Sequence, residues 1–532
     1  MRTLRWVPAA ICLCGSGLYA LTGAQSFRYD AVIAGGLVID GTGKPRTQAD
    51  VAIKDGRIAA VGRVPRSQAA QTIDASGLVV APGFIDVHTH AENIVDHPAA
   101  SNFVRMGVTT IVAGNCGTSA LDIESALTSI REKGIAINYA TLVGHNTIRA
   151  AVMGTENRAP RVAELARMRS LVWKGMADGA VGFSTGLQYI PGAYAQHAEI
   201  VDLARVAANA GGIYASHMRN EGTELEQAVA ETIRVGEMTG ARVEISHLKV
   251  DSPNKWGASE KALAMIDAAR AKGIDVSADQ YAYTAASSGL GIRFPSWALE
   301  GGQAQIAERL KTPATWNRVK TEMTGMLAER GLRDLSFAVV ALYRPEPSYN
   351  GLSIPQIALR RRGEASLDAQ LETARDMLLD GGAQMVYHFM SDADVERIMK
   401  HPQVAIASDS SVLVLGEGMP HPRGYGDNAR VLGTYVRTRH VIPLEEAVRK
   451  MTSLPASHFR LANRGVVRAG YAADLVVFDP DRVADTATYQ APHAYPEGIP
   501  YVFVNGALVV KEGAQTDARP GQVIANSLME RR

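Results

Sequence analysis

Residues 84–90 read Phe-Ile-Asp-Val-His-Thr-His, an apolar run that ends on two histidines two positions apart. Alternation along a strand sends residues i and i+2 to the same side, so His88 and His90 can both face the mouth at which such a strand ends. Seven further segments have the same short, β-branched texture. They are VTTIVAGN from Val108, NYATLVGHN from Asn138, AVGFSTGLQY from Ala180, GIYASHMRN from Gly212, VEISHLKV from Val243, IDVSADQYAY from Ile274 and VAIASDSS from Val404. Segments of helical period lie between them, such as Arg161 to Met176, with Val162, Leu165, Met168 and Val172 on one face, and Glu224 to Thr239, which stops at Gly240. Eight alternating units predict a parallel α/β (β/α)8 TIM barrel over residues 82–455, with its chemistry at the C-terminal ends of the strands. The stretch 288–384 is too long for one crossover and is expected as an insertion after strand 7.

Outward from the barrel, residues 27–81 carry short strands and tight turns (YDAVIAGGLVID, ADVAIKDGRIAAVG), and residues 456–532 repeat that texture in AADLVVFDP and VFVNGALVVKEG. A small β-sandwich domain assembled from both termini is expected. Residues 1–26 stand apart: Arg2 and Arg5 precede an apolar run from Trp6 to Leu21, with small residues near Ala24 and Ser26. That is the pattern of a secretory signal peptide, which implies export to the periplasm or the medium and no stable membrane insertion after cleavage. Removal of Cys12 and Cys14 would leave Cys116 as the single cysteine, excluding an intramolecular disulfide. In the 532-residue chain 55 Lys+Arg stand against 54 Asp+Glu, a balance that gives no electrostatic reason for nucleic acid or an anionic membrane as partner, so a small-molecule substrate is expected.

Cys116 ends strand 2, and His217 and His247 end strands 5 and 6, so these three candidate ligands converge with His88 and His90 on one rim. Taken singly, a strand-end histidine or a small buried cysteine has an ordinary structural explanation. Together they form a set of imidazoles and a thiolate that suits zinc better than magnesium or calcium, which prefer oxygen. Asp409, in the run that ends strand 8, adds a carboxylate able to take a proton from an activated water and hand it to a leaving nitrogen.

The HxH on strand 1, the strand 5 and 6 histidines and the strand 8 aspartate resemble the amidohydrolase superfamily. The segment AVGFSTGLQYIPG has no lysine of the kind that bridges two metals in many members. The cysteine of GNCG is instead similar to that of the N-acyl-D-amino-acid deacylases (D-aminoacylases), as are VGHNTIR, GLQYIPGAYA, SHMRNEG, ISHLKV, DQYAYTA, PSWALEGG, HPRGYG and RVLGTYVR. The resemblance implies one tight Zn2+ on Cys116, His217 and His247, and a second, weaker position near His88 and His90 that Cys116 can bridge. It also implies that Lys249, Tyr283 and Arg423 hold the substrate's α-carboxylate, with Tyr281 as a substitute for Tyr283. The expected reaction is hydrolysis of an N-acyl-D-amino acid by metal-activated water, with Asp409 as acid and base. A dipeptidase or other amidase on this scaffold is the alternative, and a non-catalytic binding protein is the rival from another class. Three departures fall near the substrate pocket: Ser410 follows Asp409 where glycine is usual, the segment before HPR is a few residues longer, and Glu92 stands where aspartate is common. Arg293 could accept an acidic side chain or lie exposed, and His145 is read as a structural histidine.

Overall fold

The computed structural model describes residues 27–526, so the expected signal segment lies outside the described residues. Eight parallel strands follow one another in chain order around a barrel: Phe84–Asp86, Val108–Ala113, Asn138–Gly144, Gly182–Gly186, Ile213–His217, Val243–Ile245, Val276–Gln280 and Val404–Ile406, called barrel strands 1 to 8 below. Each of the eight sequence segments contributes one. The circle closes just beyond the last strand, where Thr89 pairs with Ser410, Asp409 N donates to His88 O at 2.9 Å and His90 N donates to Ser410 O at 2.8 Å. Buried Asp86 reinforces that seam by accepting from the amides of both His88 and Ser408. Helices Val162–Ala177 and Leu225–Thr239 fall where the periodicity puts them, and Gly240 ends the second in the left-handed conformation (φ 71°) that glycine adopts without steric cost.

Ile85, Val112, Leu142, Ile213 and Ala215 come from strands 1, 2, 3 and 5 and share one cluster with Phe459 and Leu461, as interior side chains of a closed barrel must. The segment that carries Phe459 is tied to the N-terminal ends of strands 5 and 6, through Arg460 to Gly211 O and Arg242 to Ser457 O. It therefore stoppers the end opposite the histidines, leaving one open mouth.

The strand-rich flanks join in a single nine-stranded sheet, in which Leu475–Phe478 pairs antiparallel with Val79–Pro82. Two of its hairpins turn on Asp55-Gly56 and Asn505-Gly506, each with positive φ at both residues, as a two-residue turn matched to strand twist requires. Between barrel strands 7 and 8 the chain makes an excursion with its own three-stranded antiparallel sheet (Ala285–Gly289, Gln384–His388, Ala338–Leu342) and its own core around Trp316, Met323, Met377 and Met385. The excursion is thus a packed unit with an interior of its own. Among the described residues no helix is long and apolar enough to cross a membrane.

Because Phe459 is 4% exposed in the barrel stopper, Phe459→Ala should leave a cavity that the surrounding strands cannot collapse around. The expected cost is about 3–5 kcal/mol, read as a lowered midpoint in urea unfolding against the wild-type chain.

Candidate active site

Cys116, His247 and Asp409 each lie two or three residues beyond the end of a barrel strand, and all three have left-handed backbones (φ 52°, 36° and 51°). Residues other than glycine adopt this region at a cost of order 1–3 kcal/mol, and the surrounding structure must over-determine it. Here the kink turns each side chain over the barrel mouth. The packing that enforces it is close: a Cβ on Gly186 would sit 2.1 Å from Cys116 O, and one on Gly117 would sit 2.3 Å from Asn146 Oδ1. GNCG is therefore a steric requirement as well as a motif.

The sulfur of Cys116 lies 3.3 Å from His88 Nε2, 3.6 Å from His217 Nδ1 and 3.6 Å from His247 Nε2. The edges of a tetrahedron with metal–nitrogen and metal–sulfur lengths of about 2.0 to 2.3 Å are about 3.3 to 3.8 Å, so these spacings suit ligands of one zinc-sized ion. Three overlapping triads can hold a metal: Cys116 with His217 and His247, Cys116 with His88 and His90, and Asp409 with His88 and His247, the donor atoms of each lying within 4.8 Å of one another. Burial opposes ionisation of Cys116, yet the imidazoles of His88, His217 and His90 hold the thiol well below its ordinary range. The site thus favours thiolate, the form that binds metal.

Behind the imidazoles stand carboxylates that sequence reading did not single out. Glu221 Oε1 is 2.9 Å from His247 Nδ1 and Glu221 Oε2 is 3.7 Å from His217 Nε2, so one carboxylate orients two rings whose other nitrogens face Cys116. Asp279 lies 3.3 Å from His88 Nδ1 and accepts the amide of His247 at 2.8 Å. Such partners fix the tautomer of a ligating histidine and raise its basicity. The Lys249 ammonium joins this layer, 2.5 Å from Glu221 Oε1 and 2.7 Å from His247 Nδ1. Burial would raise the Glu221 carboxyl, but Lys249, His217 and His247 outweigh it and keep the group ionised.

Asp409 connects the ligand cluster to Arg423. Its Oδ1 lies 3.2 Å from His90 Nε2 and 3.6 Å from His88 Nε2, and its Oδ2 is 2.9 Å from Arg423 Nη2. Despite burial, Arg423 and the neighbouring imidazoles hold the Asp409 carboxyl well below the usual carboxylate range. Cys116, His90, Asp409 and Arg423 line one cavity of about 710 Å³, together with Tyr189. Tyr189, also not singled out from sequence, packs its ring at a tilt against His217 at 4.6 Å and accepts from Ser288 Oγ of the excursion. The remaining expected positions fall elsewhere. The Tyr283 hydroxyl meets Asp485 at 3.3 Å, and the Tyr281 ring lies under the Arg423 guanidinium at 4.4 Å. Arg293 is not on the surface: it is 7% exposed and sits over the Tyr387 ring at 4.5 Å inside the excursion, and it is not among the residues that line the cavity. Its three-aromatic surround is made by tertiary packing and leaves no local sequence signal. His145 pairs with Glu199 at 2.9 Å, outside the ligand cluster.

The sequence pattern of the Amidohydrolase family matches residues 79–509. A D-aminoacylase of Alcaligenes xylosoxydans xylosoxydans is 38% identical, the match covering 95% of this chain and 99% of that protein. The N-acyl-D-glutamate deacylase of the same organism is 37% identical over 93% of this chain and 96% of its own. A crystal structure of N-acyl-D-glutamate deacylase from Bordetella bronchiseptica, complexed with zinc and a phosphonate inhibitor that mimics the tetrahedral intermediate, superposes with a TM-score of 0.81. It shares 37% identity, with 94% of this chain and all of that one covered.

If Glu221 orients the two imidazoles, Glu221→Gln should weaken zinc binding by about 10- to 100-fold in chelator competition while the fold survives. Cys116→Ser should remove a ligand outright, losing tightly bound zinc and activity together with an unchanged circular dichroism spectrum.

Proposed function

The chain belongs to the amidohydrolase family, and on that basis we propose that it hydrolyses the amide bond of N-acyl-D-amino acids, releasing a D-amino acid and a carboxylate. One observation carries the reading: Arg423 gives Nη2 to Asp409, while its Nε and Nη1 are buried without a hydrogen-bond partner on the cavity that also exposes Cys116 and His90. Buried guanidinium nitrogens left unpaired are costly, and a substrate carboxylate seated at the Nη1 edge would satisfy that nitrogen with a charge-assisted hydrogen bond. An α-carboxylate at Arg423 sets the adjoining amide beside Asp409 and the thiolate–imidazole cluster.

Zinc on Cys116, His217 and His247, with a weaker second position at His88 and His90, would supply Lewis acidity to the amide carbonyl and acidify a water. Asp409 enters the reaction ionised. Its Oδ2 is engaged by Arg423, which leaves Oδ1 to take the proton of the attacking water and return it to the amide nitrogen as the C–N bond breaks. Glu221 and Asp279 keep the imidazoles aimed through the cycle. Holding the carboxylate at Arg423 and the amide at Asp409 leaves the α-carbon one direction in which to send its side chain, which is the basis for selecting one enantiomer.

The direct test is turnover of N-acetyl-D-amino acids against their L-enantiomers by the zinc-loaded enzyme: D-amino acid release with the L-series inert supports the reading, and cleavage confined to L-substrates or to peptides overturns it. Asp409→Asn should keep its zinc and lose about 10²- to 10⁴-fold in kcat, so that metal content and turnover separate.

A further inference from the structure

We propose that the side-chain pocket of this enzyme selects uncharged, apolar D-amino acids over acidic ones, an inference that rests on the amide-hydrolase reading above. The basic groups on the cavity wall are few, and nearly all are engaged. Arg423 is paired with Asp409 and holds its free Nη1 for the α-carboxylate. His90 is directed at Asp409 Oδ1. Both nitrogens of His421 are spent: Nε2 donates to Ala285 O at 2.9 Å and Nδ1 accepts the amide of Arg423 at 3.0 Å, an arrangement that requires the neutral ring. His97 lines the cavity near Asn93, on the strand 1 side. Arg344 is the remaining guanidinium, with a side chain 80% exposed at the mouth and Glu417 3.8 Å away. A solvated, partnered cation contributes little to recognising an anion.

The rest of the wall carries hydroxyl and amide groups, among them Ser411 and Gln384, and a run of hydrocarbon but no further cation. Ala341 and Leu342 from the excursion and Val412, Leu413 and Val414 from the segment after strand 8 line the same cavity, and Val414 remains 38% exposed there. This shelf is fixed before any ligand arrives: Asn93 Nδ2 donates to Val412 O at 2.9 Å, Leu413 N donates to Asn102 Oδ1 at 3.2 Å, and Met419 N donates to Ala341 O at 2.7 Å. Its residues 412–414 lie in the stretch that leads from strand 8 to His421-Pro422-Arg423. A second carboxylate laid on the shelf would lose water and gain no partner, whereas an alkyl or thioether side chain would bury apolar surface there.

The test compares kcat/KM of the zinc-loaded wild-type enzyme on N-acetyl-D-leucine, N-acetyl-D-methionine, N-acetyl-D-glutamate and N-acetyl-D-aspartate. Leucine and methionine substrates should exceed both acidic ones by at least tenfold. Val414→Arg, at a partly exposed position that places no burden on folding, and Leu342→Arg should each shift the leucine-to-glutamate ratio at least tenfold towards glutamate. Equal or better turnover of the acidic substrates by wild type overturns the proposal while upholding D-amide hydrolysis. An arginine variant that folds, retains activity and leaves the ratio unmoved overturns the shelf as its cause. Inertness towards all four substrates overturns the underlying function and the proposal with it.

Discussion

Cys116 brings its sulfur within 3.6 Å of imidazoles supplied by barrel strands 1, 5 and 6, and each of those contacts calls on a different part of the fold. The contact with His88 depends on the closing seam, because the backbone around His88 and His90 is hydrogen-bonded to the Asp409–Ser410 segment of strand 8. The contacts with His217 and His247 depend on strands 5 and 6 being adjacent and in register, with Ser216 opposite Ile245. The sulfur reaches all three only because the chain leaves strand 2 in a left-handed turn, against glycines too close for any side chain. A barrel open by one strand would retain most of its core and lose this meeting point.

The charge around that sulfur explains the layer behind it. Cys116, Asp409, Glu221 and Asp279 bring four acidic groups into a volume from which water is largely excluded, against two permanent cations, Lys249 and Arg423. Burial works against the cationic forms of His88 and His90, yet Asp279 and Cys116 raise the first well above its usual value and Cys116 and Asp409 bring the second to about 10. The cluster is therefore built to hold a cation, and a metal competes there with protons on the same nitrogens and sulfur. Lys249 sits outside this competition: its contact with Glu221 stabilises the carboxylate that aims His217 and His247. A lysine in that position contacts the groups around His247, which it follows by two residues in the turn beyond strand 6.

Barrel strands were legible because segments buried on both faces are short, apolar and β-branched, and because a helix of clear period follows most of them. The cluster of candidate ligands was legible for a related reason: each histidine, cysteine or aspartate has an ordinary explanation alone, and only their shared place at strand ends, where the structure brings them together, points to a metal. Glu221 and Asp279 were not. Asp279 sits inside the strand run VSADQ, where a carboxylate within a barrel strand was the available signal, and Glu221 follows His217 by four residues in a loop, where charge is ordinary. Tyr283 shows the harder limit. Its hydroxyl partner, Asp485, lies 202 residues downstream in a segment returning from the terminal sheet, and only tertiary structure brings the two together. Residues 285–289, Ala-Ala-Ser-Ser-Gly, form a strand with no apolar alternation at all, because pairing with Gln384–His388 defines it.

The excursion and the catalytic groups are joined at a point that separates chemistry from substrate choice. His421 donates to Ala285 O, the first residue of the excursion's sheet, and accepts the amide of Arg423, so the guanidinium is positioned from the excursion through an imidazole. Arg423 then holds both Asp409 Oδ2 and the carbonyl oxygen of Asp409, at 2.9 and 2.6 Å. None of these anchors passes through residues 412–414, which are pinned instead by Asn93 and Asn102 from the strand 1 side. Asn102 also donates to Gly424 O at 3.0 Å, and Leu413 packs against Gly424, so Leu413 is tied to the segment of Arg423 and the partly exposed Val414 is the shelf side chain best placed to change alone.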